Sequence, residues 1–356
     1  MLCTLFIGCA SKDEMSASGT QTQEETKEQG SQEQDSQKQD KKDLPVLRVA
    51  MMPFITCLPT EYIRKNELDI KNGFRMETIM FASGAPMNEA LAADLWDVGS
   101  MGAAAVTGVA NYDMVIIGEV LESQDGLAIF ARPDSDIVKV KGYNPSFPEV
   151  YGDPDTVRGK TIVLPVGTAM HFNALKWLEK IGLKADDVNI VNMEVAQAYQ
   201  AFKSGQADLV GLNVPTFFDA IRDGMVQVGN LAYLGVKYVD MVTANKKSIE
   251  EKPELIQKFM NLIVEACEAL NADQEMAVKL MMDYSREAGA ETSEENVRSD
   301  LERLKFLTKE DLANREIGAF AKELGEFYIS IGQLEPDLME KFKTNINDTF
   351  VKNAIK

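Results

Sequence analysis

The segment NEALAADLWDVGSMGAAAV, residues 88–106, contains the pattern that decides the fold. It predicts an amphipathic helix, an aspartate, a short apolar strand and a turn of small residues that leads into another helix. The segment QAYQAFKSGQADLVGLNVPTFFDAI, residues 197–221, repeats this order. Two α/β units of similar build indicate two lobes that face each other across a cleft.

Short apolar strands alternate with helical patterns around both segments. The predicted strands are residues 46–53, 73–81, 96–101, 113–120, 160–165, 187–193 and 207–212. Such alternation predicts mostly parallel sheets with helices on both faces. From Pro253 onward the periodicity is almost entirely helical, and we expect the helices there to pack against the first lobe. Their predicted bounds are 253–273, 274–287, 293–304 and 314–331.

Composition limits the classes of function. A chain of 356 residues with 45% apolar residues can bury a large core, and its length favours about two domains. The net charge of −19 disfavours binding to nucleic acid or electrostatic adsorption to anionic lipid. We expect Cys57 and Cys267 to be free, with a disulfide between them as the alternative. No cysteine and histidine cluster has metal-ligand spacing, so we expect neither a metal nor another cofactor.

The N-terminal sequence MLCTLFIGCAS resembles the lipobox of bacterial lipoproteins, in which apolar residues and a small residue precede a cysteine that receives lipid. This interpretation assigns residues 1–9 to a signal peptide ending at a lipidated Cys9, and a chance apolar N-terminus is the alternative. Residues 10–43 contain no aromatic side chain and are rich in Gln, Glu, Asp, Lys and Ser. We expect them to form a disordered tether, because they cannot bury enough apolar surface to offset chain entropy.

Ligands of open parallel sheets bind beyond the carboxyl ends of the strands. The segments predicted there are rich in glycine, small or hydroxylated residues, which leaves backbone N–H groups accessible at helix starts. They are residues 53–57, 82–88, 100–103, 166–171 and 212–216.

His171 is the only histidine and lies in the first turn of a predicted helix. A lone histidine can be a catalytic base, a metal ligand, a ligand contact or a residue at a helix end. The sequence lacks partners for the first two roles, so ligand contact and helix end remain open. We expect the imidazole to be neutral near pH 7, because a cation at a helix N-terminus opposes the helix dipole.

The ordered set LRVAMMP, GAPMNEALAADLWDVGSMGAAAV, VRGKTIVLPVGTAMHFNALKWLEKIGL and QADLVGLNVPTFFDAI resembles the nitrate/sulfonate/taurine (NitT/TauT, NMT1/THI5-like) substrate-binding proteins of ABC importers. The resemblance covers about Leu47 to Ile331. It implies an α/β, two-lobed periplasmic-binding-protein fold (type II, Venus flytrap) with a helical C-terminal region. The chain would cross between lobes near 121–125 and 231–235. Residues 44–124 with 233–356 would then form lobe 1, and residues 125–232 lobe 2.

The resemblance also implies the site and the partners. By position, the residues lining the cleft would be Phe54, Thr56, Ser83, Gly84, Ser100, Met101, Gly102, Thr168, Ala169, Met170, His171, Asn213, Tyr238 and Asp240. We expect a monomer that binds a small molecule and delivers it to an ABC permease and its ATPase, and that is anchored by lipid outside the cell membrane. Related pyrimidine-synthesis enzymes carry a CCCFC motif that this chain lacks, so we expect no enzymatic activity.

The ligand class is predicted less closely. No arginine lies in any cleft segment, which disfavours nitrate and favours an organic ligand with a flat or aliphatic body. The resemblance implies a sulfonate or a taurine-like solute. A thiamine-pyrimidine precursor, riboflavin or another aromatic molecule is the alternative, and an enzyme or a ligand sensor is a remote one. Glu119, Glu122 and Asp240 lie near the crossings or the cleft, and any of them that faces the ligand could pair with an ammonium.

Overall fold

Two mixed β-sheets organise the part of the chain that the computed structural model describes, namely residues 43–123, 125–290, 292–330 and 332–356. The strands are β1 (Val46–Met51), β2 (Arg75–Met80), β3 (Val98–Met101), β4 (Met114–Ser123), β5 (Leu127–Ala131), β6 (Thr161–Leu164), β7 (Asn189–Asn192), β8 (Leu209–Asn213), β9 (Val226–Asn230), β10 (Tyr238–Asn245) and β11 (Leu304–Phe306). The predicted lipidation at Cys9 and the predicted tether, apart from Asp43, lie outside the described residues.

Helices cover the sheets and fill the C-terminal region. They are α1 (Leu58–Lys65), α2 (Leu68–Lys71), α3 (Gly84–Ala92), α4 (Ala104–Asn111), α5 (Pro154–Val157), α6 (Ala169–Lys180), α7 (Val195–Lys203), α8 (Thr216–Arg222), α9 (Lys246–Glu251), α10 (Pro253–Ala272), α11 (Gln274–Glu287), α12 (Glu294–Leu301), α13 (Lys309–Ala313), α14 (Ala319–Ser330), α15 (Met339–Thr344) and α16 (Thr349–Ala354). In the described ranges, no helix is both long enough and apolar enough to cross a bilayer.

Five strands of the first sheet have the same topology as the second sheet, and β11 is an additional antiparallel strand at the edge of the first. The first has the order β11-β4-β10-β3-β1-β2 and the second β7-β6-β8-β5-β9. In each, one antiparallel strand stands between the third and fourth of the parallel strands, β10 in the first sheet and β5 in the second. The repeated sequence pattern therefore occupies equivalent positions, as α3-β3-α4 and as α7-β8-α8.

Two connections join the sheets, one between β4 and β5 and one between β9 and β10. They coincide with the predicted crossings near 121–125 and 231–235. We propose them as the boundaries of two lobes, residues 44–124 with 233–356 and residues 125–232.

The structure corrects several predicted elements. Strands β5, β9, β10 and β11 were not predicted, and each pairs antiparallel with a strand that is distant in sequence. The helix expected over 293–304 ends at Leu301, because the following residues pair with β4 as an edge strand. The helix expected over 314–331 begins at Ala319, after Gly318 with its φ of 78°. Cys57 and Cys267 are both buried and free.

The C-terminal helices do not pack against the first sheet alone. Phe172 of α6 lies edge-to-face with Phe320 and Phe327 of α14, at centroid distances of 6.1 and 5.5 Å. Helix α6 covers the second sheet, so α14 is shared between the two halves, contrary to the expected packing.

An aspartate fixes the register of the first and third parallel strands in both sheets. Asp97 donates its N–H to the carbonyl of Arg48 at 2.9 Å, and its carboxylate accepts the Arg48 N–H at 2.7 Å. Asp208 makes the equivalent pair with Thr161, at 3.0 and 2.9 Å. These are the aspartates of the repeated sequence pattern, so the repeat specifies a hydrogen-bonded clamp as well as a helix and a strand.

The first clamp is also an ion-pair centre. The buried carboxylate of Asp97 accepts bonds from the Arg48 guanidinium at 2.7 Å, Lys252 at 2.8 Å and the Ser248 hydroxyl at 2.7 Å. Burial by itself would raise the pKa of Asp97, but the bonds from Arg48 and Lys252 outweigh it and hold the pKa at about 2.

We expect Asp97→Asn to lower the free energy of unfolding at pH 7 by about 3 kcal/mol, because it leaves the half-buried cations of Arg48 and Lys252 facing a neutral group. The pKa of Asp97 is lower in the folded chain than in the unfolded chain. Its stabilisation is therefore complete above about pH 4 and is lost as the pH falls through about 2. Urea unfolding at pH 7 and at about pH 2 measures both effects. Asp94→Asn, which alters a more exposed carboxylate of the same cluster, is the control, and an equal loss there would contradict the prediction.

Candidate functional site

The segments that follow six parallel strands converge on one cavity of about 650 Å³. These segments follow β1, β2 and β3 in the first sheet and β6, β7 and β8 in the second. Short strands that stop at the same edge bring the loops together, because each loop leaves the sheet where its strand ends. The cavity is thus built by both copies of the repeated topology.

Most of the residues predicted to line the cleft do line this cavity. They are Phe54, Thr56, Ser83, Gly84, Met101, Gly102, Thr168, Ala169, Met170, Asn213, Tyr238 and Asp240. Ser100 and His171 are not among the lining residues, and their exposed fractions are 1% and 2%. Both lie behind the cavity wall, one at the end of β3 and the other in the first turn of α6.

Asp240 is the most unusual group of the cavity. Burial raises its pKa to about 6, and the nearby Thr56 hydroxyl opposes this only in part, since its Oγ1 forms no hydrogen bond of good geometry. In the described ranges, no lysine, arginine or histidine forms an ion pair with it. Asp240 is half-buried, so its carboxylate has lost part of its hydration without gaining a counterion.

Tyr238 and Gly102 hold this part of the wall in place. The phenol oxygen of Tyr238 accepts the N–H of Ala103 at 2.5 Å. A Cβ at residue 102 would overlap the Tyr238 hydroxyl and the Asp240 carboxylate, so the wall requires glycine there. Burial and the neighbouring Asp240 keep the pKa of Tyr238 well above its ordinary value, so the phenol stays neutral and can donate its O–H.

Two helix starts contribute polar N–H groups to the cavity. Helix α3 begins after Ser83 and helix α6 after Thr168, and neither of these residues caps its helix through its side chain. The Thr168 hydroxyl donates to the Pro165 carbonyl at 2.6 Å, whereas the Ser83 Oγ is buried without a hydrogen-bond partner. Uncapped helix N-termini favour an anionic group.

The charged lining is entirely acidic. In the described ranges, five carboxylates and no lysine, arginine or histidine line the cavity, the carboxylates being Asp125, Glu194, Asp219, Asp240 and Asp300. Only Asp240 was predicted from sequence. Glu194 follows β7, just as the predicted cleft segments follow their strands, so its position in the sequence indicated a place in the cleft. Asp300 lies at the end of α12, far in sequence from the repeated pattern, so its position gave no indication that it lines the cavity.

The two glutamates near the first crossing do not line the cavity. Glu119 accepts the Gly318 N–H at 2.9 Å and pairs with Arg315 at 3.1 Å, and burial raises its pKa. Glu122 pairs with Arg315 at 2.8 Å and Lys237 at 3.1 Å. Burial would raise the pKa of Glu122, but these cations outweigh it and lower the pKa. Through these contacts, the two glutamates hold the C-terminal half of β4 against the segment that precedes α14.

His171 supports the loop at the start of α6. Its Nδ1 accepts the Gly167 N–H at 3.2 Å, and its ring stacks near Tyr328 of α14 at a centroid distance of 6.5 Å. Burial lowers its pKa to about 4, so the imidazole is neutral at pH 7. The hydrogen bond makes it a helix-end residue, and a direct contact with ligand stays a prediction.

Because the chain has one histidine, its titration can be measured directly. We expect the imidazole proton resonances in NMR to shift with a midpoint near pH 4. The folded pKa lies below the unfolded value, so His171 costs stability as the pH falls below about 6.5. The difference in unfolding free energy between wild type and His171→Gln should therefore change between pH 7 and pH 4. A midpoint near 6.5 would place the ring in solvent and contradict the prediction.

Comparisons with known proteins agree with this architecture. Residues 152–277 match the family model described as NMT1/THI5 like. A putative ABC transporter periplasmic binding protein of Brachyspira hyodysenteriae is 38% identical, over 88% of this chain and 90% of the relative. The taurine-binding periplasmic protein of Escherichia coli is 24% identical, over 59% of this chain and 62% of the relative.

A solved structure shows the same fold. The alkanesulfonate-binding protein of Xanthomonas axonopodis pv. citri, bound to MOPS, superposes with a TM-score of 0.66 at 16% identity, over 85% of this chain and 97% of that protein. The fold confirms the predicted two-sheet architecture, and the Brachyspira relative identifies the family. The chain belongs to the ABC transporter periplasmic binding proteins, which bind solutes outside the cytoplasm.

Proposed function

We propose that this protein captures a small organic solute carrying a positively charged group, and that the solute binds in the cavity between the two sheets. The observation that carries the proposal is the lining of five carboxylates without a basic side chain, among which Asp240 lacks a counterion. A half-buried carboxylate is destabilised when it has no cation nearby, and an ammonium would restore the interaction that partial burial removed.

A taurine-like zwitterion fits both kinds of polar group in the cavity. Its ammonium would pair with Asp240, and its acidic group would accept N–H groups at the starts of α3 and α6. The name of the taurine-binding relative supports this ligand class. A simple alkanesulfonate fits less well, because it has no group to pair with Asp240.

The apolar part of the lining favours a second ligand class. Phe54, Met101, Met170, Leu121 and Leu127 line the same cavity and offer surface to a flat or aliphatic body. An aminopyrimidine that is protonated beside Asp240 would use this surface and the carboxylate together. This class corresponds to the pyrimidine precursors considered from the sequence.

We propose that the solute-loaded protein acts as a monomer without enzymatic activity and delivers its ligand to an ABC permease and its ATPase. The relatives support delivery, since the Brachyspira protein is described as a component of an ABC transporter. A ligand that bridges loops of both sheets would stabilise a form in which the lobes are closed, and the permease would recognise that form.

Matched solutes test the positively charged group. We expect taurine, whose amine is largely protonated at pH 8, to raise the melting temperature of the wild type at that pH, because a ligand that binds only the folded state stabilises it. Ethanesulfonate, which has no amine, should not raise it. Asp240→Asn should weaken calorimetric affinity for the amine at least tenfold, about 1.4 kcal/mol.

Asp219→Asn is the control, because Asp219 lines the cavity but pairs with Arg222. Its affinity for the amine should change little. The proposal fails if solutes with and without an amine bind equally well, or if both variants behave alike.

We further propose that Cys9 carries the lipid that anchors the protein outside the membrane. The lipobox-like sequence and the extracytoplasmic relatives support this proposal. In bacteria fed a radioactive fatty acid, the full-length wild type should become labelled and sediment with membranes, whereas Cys9→Ala should do neither. Cys3→Ala is the matched control and should be labelled like the wild type. Equal labelling of Cys9→Ala would contradict the anchor.

A further inference from the structure

We infer that the solute carries two positively charged groups and that Asp300 binds the second. The inference rests on the proposed function, which assigns one positively charged group to Asp240. It goes further in naming a dicationic class of solute and a specificity-determining residue from the C-terminal helices. The observation that carries it is the arrangement of charges at the end of the cavity next to α12.

Asp300 belongs to a third wall of the cavity, beside those built by the two sheets. It lies in the last turn of α12, and its neighbours on this wall are Gly289, Ala290 and Leu304. Its side chain is 15% exposed, and the carboxylate lines the cavity. A solute that fills the cavity from Asp240 therefore meets a second carboxylate from a different part of the chain.

At this wall, the guanidinium of Arg303 lies next to two carboxylates, those of Asp300 and Asp125. Arg303 pairs with Asp300 at 3.0 Å and lies 3.9 Å from Asp125. The guanidinium is held in place by the Ser299 carbonyl at 2.8 Å and by the Phe218 ring, whose centroid is 4.8 Å away. Its Nη1 is buried and has no hydrogen-bond partner. Arg303 therefore cannot move to another carboxylate without losing these contacts.

The charges between Asp240 and the α12 wall leave a deficit of two positive charges at pH 8. Asp125, Asp240 and Asp300 contribute three negative charges there, and Arg303 contributes one positive charge. Glu194, which follows β7, adds a further lining carboxylate that forms no ion pair in the described ranges. Asp219 is balanced separately by Arg222. A single ammonium at Asp240 would leave one excess carboxylate at the α12 wall, whereas a solute with two positively charged groups would neutralise both ends.

The carboxylates of the described residues are not gathered around one point. In the described ranges, no group of three acidic, cysteine or histidine side chains is placed to hold one metal ion. The field of the other carboxylates nevertheless reaches Asp300. Burial raises the pKa of Asp300 to about 7, and Asp240 and Asp125 add to the effect while Arg303 opposes it. A second ammonium next to Asp300 would remove this repulsion.

Diamines and monoamines of equal length test the inference by calorimetric titration at pH 8. We expect the wild type to bind 1,4-diaminobutane or 1,5-diaminopentane at least tenfold more tightly than butylamine or pentylamine. Asp300→Asn should reduce the affinity for the diamine to that for the monoamine and leave the monoamine affinity unchanged. Asp223→Asn, which removes a carboxylate that pairs with Lys203 and does not line the cavity, should preserve the preference for the diamine. Melting temperatures of the free variants establish that each one is folded.

Each outcome separates the two proposals. Equal affinity of the wild type for diamine and monoamine would overturn the inference and leave the proposed function standing, as would a diamine preference that survives Asp300→Asn. Failure of every amine to bind would contradict the proposed function itself. Competition between Ca²⁺ and the diamine at equal concentration would show that a single metal ion satisfies these carboxylates, and would also overturn the inference.

Discussion

The structure depends on the aspartate that joins the first and third parallel strands of each sheet. Asp97 and Asp208 each exchange two backbone-directed hydrogen bonds with the strand beside them, at Arg48 and Thr161. The clamps sit where these strands begin, so they fix the register along the strands up to their carboxyl ends. The six loops that follow these parallel strands then leave the sheets at their carboxyl ends and enclose one cavity. A shift of one residue would turn lining side chains toward the core.

The parallel strands and the loops that follow them could be predicted from the sequence, because the patterns that indicate them are local. The helix, aspartate, strand and turn of each repeat lie within one short segment, so periodicity revealed two equivalent units and most of the lining residues. The antiparallel strands carried no such signal. Strand β10 lies between β3 and β4 although it is far from both in sequence, and alternation of strands and helices does not reveal that order. Asp300 was missed because only tertiary packing brings α12 to the cavity.

His171 shows a second limit of sequence reasoning. Its place in the first turn of α6 was predicted, and that position is shared with residues that do line the cavity, such as Met170. Neighbouring residues of a helix point in directions about 100° apart, so one faces the cavity while the next faces Tyr328 of α14. The contact with α14 decides the role of His171, and α14 was expected to lie against the first sheet alone.

The relative size of two electrostatic effects decides the class of solute. An uncapped helix N-terminus stabilises an anion by about 0.3–1 kcal/mol when exposed, and by up to about 2 kcal/mol when partly buried. A carboxylate without a counterion in a buried site costs several kcal/mol. The helix starts at Ser83 and Thr168 can therefore orient an acidic group, but they cannot offset repulsion by Asp240, Asp300 and Asp125. A purely anionic solute would meet that repulsion directly. Under the proposed function, the acidic lining would select for positive charge first, and the helix starts would discriminate only among solutes that already carry it.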